Sequence, residues 1–123
     1  IDPEYGIAVD VTGVDDEPGG KHQASALCGK GAAVKIMDRS VICTPALVEK
    51  LLALAEEKDI CAQRDVLQMG GTDAGPIQVT RAGVYAGGIS IPCRYTHTPT
   101  EMVDLRDVRA CVELVAAFAH SEL

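Results

Sequence analysis

Asp10 closes the apolar run Ile7-Ala8-Val9. A carboxylate in that setting is costly unless a metal, a cation or backbone donors satisfy it, so Asp10 reads either as a ligand or as an acceptor for loop amides. Gly70-Gly71-Thr72-Asp73 follows another expected strand. Its glycines let the backbone approach a bound molecule, and Thr72 or Asp73 can equally well cap the helix that follows. Arg94-Tyr95-Thr96-His97-Thr98-Pro99 follows a third, mostly apolar strand. His97 there is able to bind a metal through its neutral imidazole, or simply to be solvated. His22 and His120 are weaker candidates, one in a Gly-rich stretch and one near the chain end. Asp38-Arg39-Ser40 reads as a turn with an internal ion pair. No G-x-S-x-G elbow, Gly-Lys-Ser/Thr phosphate loop or C-x-x-C pair is present.

The elements that must position these residues alternate strand and helix. Tyr5–Val11, Ala32–Met37, Ala62–Leu67 and Val84–Cys93 read as strands, the first apolar and the last mostly apolar. Thr44-Pro45 starts a helix reaching about Lys58, with Thr44 capping and Pro45 in the first turn. A short helix is expected over Pro76–Ala82, ended by Gly83. Asp104 caps a last helix, with Asp107 completing a capping-box-like pattern and Leu105, Val108, Val112, Val115 and Ala119 lining its apolar face. Residues 12–31 form a long Gly/Asp-rich loop, uncommon unless functional. The expectation is a three-layer α/β/α mixed sheet. No helix links the first two strands, so they are expected to be antiparallel, which places Asp38-Arg39-Ser40 at the far edge. Ligand sites of such sheets lie beyond strand carboxyl ends, so Asp10 and His97 are expected to share one crevice, with Asp73 lining it.

Composition narrows the classes. The chain has 123 residues, one domain over 1–123, with a formal net charge of -7. No basic block is present to neutralise phosphates, which argues against nucleic acid. No apolar run approaches the ~20 residues of a membrane span. The five cysteines are odd in number and widely spaced. They read as reduced thiols of a cytoplasmic protein.

Four segments in order carry a resemblance: Ile7-Ala8-Val9-Asp10-Val11-Thr12, Lys35-Ile36-Met37-Asp38-Arg39-Ser40, Gly70-Gly71-Thr72-Asp73-Ala74 and Arg94-Tyr95-Thr96-His97-Thr98-Pro99. Together they resemble the C-terminal half of the catalytic domain of the glutamyl (deblocking) aminopeptidases. These are dinuclear metallopeptidases often described as endoglucanases. The resemblance implies a zinc-peptidase-like fold and two divalent ions, zinc or cobalt, about 3.5–4 Å apart. Asp10 would be a terminal ligand of one ion and His97 of the other. Gly70, Gly71, Thr72, Asp73 and Arg94 would be substrate-binding, the first four bordering the pocket for the substrate's N-terminal residue, and Arg94 with Tyr95 would also shape the loop presenting His97.

Gly13 stands where the family usually has His. The family's upstream His, bridging Asp, general-base Glu and lid domain have no counterpart here, so the chain reads as part of a longer peptidase and as inactive alone. A peptide substrate and a homo-oligomeric full-length protein are implied. Two other classes stay open: a non-catalytic oligomerisation or binding module on the same fold, and a glycoside hydrolase. The last needs two carboxylates across a sugar ring, for which only Asp10 and Asp73 offer themselves.

Overall fold

A computed structural model describes residues 1–121. In chain order it holds β1 (Tyr5–Gly13), β2 (Ala32–Met37), α1 (Pro45–Glu57), β3 (Ala62–Val66), α2 (Ala74–Gln78), β4 (Tyr85–Arg94), β5 (Met102–Val103) and α3 (Leu105–Ala119). One sheet runs β1-β4-β2-β3, with β5 added beside β4. β1 and β4 are parallel in unbroken register from Tyr5↔Tyr85 to Gly13↔Cys93. β2 is antiparallel to β4 and parallel to β3. The sheet is therefore mixed as expected, and β2 runs against β1. The two are not neighbours, however, because β4 lies between them.

Side-chain alternation gives each face its role. Val34 and Ile89 turn to the face covered by both long helices, where Leu51, Leu54, Ala110, Cys111 and Leu114 complete the main core. A Cβ on Gly87 would sit 3.0 Å from Leu47 Cδ2, so this glycine lets α1 lie close on β4. Gly6, on the opposite face, meets Ile77 of α2. That second layer is thin, built of the short α2 and of loops, and it carries the polar side chains.

The helices depart from sequence expectation in instructive ways. Pro45 opens α1, but the Thr44 hydroxyl makes no cap; it accepts from Ala86 N at 3.1 Å and ties the helix to β4. α2 stops at Gln78 because Arg81 takes φ +55° and the chain turns through Thr80 to Gly83. On α3 Asp104 caps Arg106 N at 2.8 Å, as the sequence suggests. Asp107 closes no capping box: fully buried, its carboxylate accepts from Gly29 N at 2.6 Å and Gly31 N at 2.7 Å. The buried stripe of α3 is therefore Asp107, Ala110, Cys111 and Leu114; of the expected stripe, Val115 packs against the core and Val108 is half-buried, whereas Leu105 is 78% and Val112 63% exposed.

Thr12 and Gly13, expected in the long loop, belong to β1, and the loop that remains over residues 14–31 is held by side chains rather than by secondary structure. Asp15 accepts from Gln23 N and Ala24 N, Asp16 accepts from Cys28 N, and Gln63 bonds both Leu27 N and Leu27 O. Gly31 is the tightest point: its φ is +86°, and a Cβ would fall 2.0 Å from Cys61 O.

Candidate active site

Because β1 and β4 are parallel, their carboxyl ends reach the same edge, and this is how Asp10 and His97 come together. Both line one open depression of about 340 Å³. Asp10 faces the thin layer, in register with Ser90. Its Oδ1 accepts from Val11 N at 2.7 Å, and among the described residues Oδ2 has no protein partner. Asp10 lies inside β1 rather than at its end, so one oxygen is met by the amide of its own strand neighbour and not by a loop amide, and the other is available. His97 sits on the loop between β4 and β5 at φ +64°, and its ring nitrogens bond nothing among the described residues.

The opposite wall comes from Leu67, Met69, Gly70, Gly71 and Thr72. The carboxyl-end rule does not explain their arrival, because β3 runs against β1 and β4. The segment is instead held back across the face by hydrogen bonds near the end of β2. Arg39 N donates to Gly70 O at 3.0 Å. The Thr72 hydroxyl donates to Asp38 Oδ2 at 2.8 Å. Gly71 lies so close to Ser40 that an added Cβ would be 2.8 Å from Ser40 Oγ.

Asp38 is the anchor of this wall, a role that sequence reading missed. It is buried and also accepts from Ser40 N and Ser40 Oγ, both at 2.7 Å, and from Val41 N at 3.1 Å. Burial pushes its carboxyl up, but the bonds from Ser40 and Thr72 and the charge of Lys35 outweigh this and hold it below the usual carboxylate range. The turn at Asp38-Arg39-Ser40 is present; the ion pair expected within it is not formed among the described residues. A signal existed in Asp38-x-Ser40, an Asx-type turn, but its long-range partner Thr72 did not show.

A second polar group lies on the same face. Lys35, fully buried, donates to Asp65 Oδ2 at 2.5 Å and to Thr12 Oγ1 at 3.4 Å. Both charges are misfits in otherwise strand-like segments, Ala32-Ala33-Val34-Lys35-Ile36-Met37 and Ala62-Gln63-Arg64-Asp65-Val66, and that mismatch was legible.

Two expected site residues stand elsewhere. Asp73 begins α2 without a side-chain cap and does not line the depression. Arg94 Nε pairs with Asp16 Oδ1 at 2.5 Å and lines a different depression, with Cys28, Met102 and Arg106. The Arg94 guanidinium holds the Asp16 carboxyl below its ordinary range. Tyr95, at φ +57°, shares the loop that presents His97. His22 and His120 lie outside the depression. Among the described residues no group of three or more His, Cys, Asp or Glu is placed to hold a metal.

Comparisons with known proteins agree with this fold. The family model for M42 glutamyl aminopeptidase matches residues 1–114. A provisionally named aminopeptidase of Acetivibrio thermocellus is 42% identical over 115 residues, covering 94% of this chain and 34% of the relative. The structure of an aminopeptidase from the archaeon Desulfurococcus kamchatkensis superposes with a TM-score of 0.93 at 42% identity, over 98% of this chain and 35% of that one. The Pyrococcus horikoshii TET1 peptidase, whose structure is described as a tetrahedron or a large octahedral shell, gives a TM-score of 0.76 at 27% identity, over 94% of this chain and 33% of that one. The chain thus spans about a third of the length of the relatives it matches. It belongs to the M42 glutamyl aminopeptidase family.

Proposed function

We propose that this chain forms one wall of a metal-dependent aminopeptidase site, with Asp10 and His97 as terminal ligands of two different divalent ions, zinc or cobalt. The observation that carries the reading is that two residues 87 positions apart line one depression with unengaged donor atoms. The donor set fits: carboxylate oxygen and imidazole nitrogen both suit these ions. It is also incomplete, since among the described residues no group of three or more His, Cys, Asp or Glu is placed to hold a metal. When bound, such ions supply Lewis acidity to a peptide carbonyl and to water. Asp10 contributes negative charge at a rigid position on β1. His97 contributes a neutral nitrogen from across the depression. The backbone of Gly70, Gly71 and Thr72 borders the space for the N-terminal residue of a peptide. On this reading Asp73 and Arg94, which do not line the depression, take no part in that role.

The bridging carboxylate and general-base Glu belong, on this reading, to the two thirds of the relatives' length that the chain does not span. The complete protein is proposed to be a cytoplasmic homo-oligomer, in keeping with five unpaired cysteines and with the shell described for a relative. Among the described residues no helix is long and apolar enough to cross a membrane.

The test is metal stoichiometry and aminoacyl-anilide hydrolysis by the full polypeptide carrying this chain. Asp10→Asn and His97→Ala should each reduce bound metal and abolish turnover. The 123-residue chain alone should show no turnover with added zinc or cobalt, since lack of a general base alone costs about 10² to 10⁴ in rate. Full metal occupancy in both variants would remove the ligand reading and leave a binding module on a peptidase fold.

A further inference from the structure

We propose that Glu101 is the positioning residue for His97, holding its backbone in the left-handed conformation from which the imidazole enters the depression. The proposal rests on the reading of His97 as a metal ligand. β4 and β5 pair at Cys93↔Val103 and Arg94↔Met102, leaving residues 95–101 as a loop with His97 near its tip. Two residues of that loop that are not glycine, Tyr95 and His97, take φ +57° and +64°. Such conformations persist where surrounding bonds impose them, and they gather at functional sites. The imposing bonds can be named. Thr96 Oγ1 donates to Cys93 O at 3.0 Å, and Thr98 Oγ1 donates to Tyr95 O at 2.6 Å. His97 itself is held by one bond, from its backbone N–H to Glu101 Oε1 at 2.5 Å.

Glu101 has no other partner among the described residues, and it is exposed, so it buries no surface and ties down no core. Its contribution is local. The residue just before β5 reaches back over four positions and closes a ring on the histidine. A carboxylate suits this role better than a neutral acceptor in water, because a charge-assisted bond is shorter and stronger. Release of the bond lets His97 relax to negative φ, which swings the Cα–Cβ vector away from the depression. Groups that orient a ligand from behind commonly change metal affinity 10- to 100-fold.

The experiment is a zinc titration of the full polypeptide and of Glu101→Ala, Glu101→Gln, His97→Ala and the double variant Glu101→Ala/His97→Ala, with amide hydrogen exchange at His97 measured alongside. Glu101→Ala should weaken zinc about 10-fold or more and speed exchange of the His97 amide, with the melting temperature unchanged. Glu101→Gln keeps an acceptor oxygen and should stay within about fivefold of wild type. The double variant should bind no more weakly than His97→Ala alone. Zinc affinity unchanged in Glu101→Ala, or a Glu101→Ala loss that persists undiminished without His97, would overturn the proposal. If His97→Ala leaves affinity unchanged, the ligand reading fails; the exchange rate at His97 still decides whether Glu101 holds the loop, and an unchanged rate in Glu101→Ala refutes that too.

Discussion

Removing the Asp38 carboxylate should loosen the wall of the depression and destabilise the domain together. Four donors converge on it: Ser40 N, Ser40 Oγ, Val41 N and Thr72 Oγ1. They are not equally dependent on it. Ser40 is exposed, so its N–H can turn to water, and its hydroxyl already lies 3.4 Å from Thr72 O. Val41 and Thr72 are buried and have no such recourse. A hydrogen bond to a charged group contributes about 1.5–3 kcal/mol, so Asp38→Ala should cost about 3–5 kcal/mol for these two. That is a large share of the ~5–15 kcal/mol that holds a domain folded. Asp38→Asn keeps the shape and one acceptor oxygen and should cost about 1–3 kcal/mol. Urea unfolding of the polypeptide carrying each variant measures both. The acid limb adds a second check. The folded carboxyl titrates below its unfolded value of about 3.9, so its stabilisation is complete above that pH and is lost as pH falls through the folded pKa. Wild type should therefore lose more stability than Asp38→Asn on acidification below about pH 4. An Asp38→Ala cost under about 1 kcal/mol, or acid limbs that coincide, would refute the reasoning.

The buried Lys35–Asp65 pair should behave asymmetrically: Lys35→Met alone strands a charge and should cost about 3–5 kcal/mol, whereas Lys35→Met with Asp65→Leu should recover most of it in the same urea assay. Gly31→Ala should cost about 3 kcal/mol or more, because the new methyl meets Cys61 O at φ +86°, while Gly19→Ala, open all round, should cost only about 1–2 kcal/mol. Arg94→Ala breaks the pair with Asp16 and should lower the melting temperature slightly while leaving zinc affinity and KM unchanged; a raised KM with kcat intact would place Arg94 in the substrate pocket after all.

Much of the frame was legible because it rests on local chemistry. Apolar runs set β1, β2 and β4, and Pro45 set the start of α1. Asp10 stood out as a charge after an apolar run, although β1 continues past it to Gly13, and of the glycines before Thr72 the close approach observed is that of Gly71 to Ser40. What stayed hidden was decided by partners far along the chain. Asp107 looks like a capping-box residue, yet Gly29 and Gly31 claim its carboxylate across 78 and 76 positions, and this places Asp107 on the buried face of α3. Arg94 sits beside Tyr95 and His97 in sequence, yet Asp16, also 78 positions away, draws it to another surface. The hydroxyl of Thr44 likewise turns from its own helix to Ala86. In each instance a short polar side chain satisfied a backbone or charge demand that no window of local sequence displays.

The sheet directions divide the work of building the depression. The nine-residue register of β1 on β4 fixes Asp10 as firmly as the core beneath it, since a slip of one residue would turn Ala8, Asp10 and Thr12 to the other face. His97 has no such support. It lies on an exposed loop at unfavourable φ, held by a carboxylate in water. The Gly70–Thr72 wall is intermediate, arriving from a strand that runs the other way and pinned by the buried Asp38. The three parts should therefore loosen in a fixed order as denaturant or temperature rises: His97 first, then the Gly70–Thr72 wall, and Asp10 only with global unfolding. If Asp10 and His97 are ligands as proposed, such a graded arrangement would set a rigid ligand opposite an adjustable one, which can yield without disturbing the sheet. Amide exchange across Asp10, Thr72 and His97 reads that order directly. Equal protection at all three would show that the depression opens as a single unit.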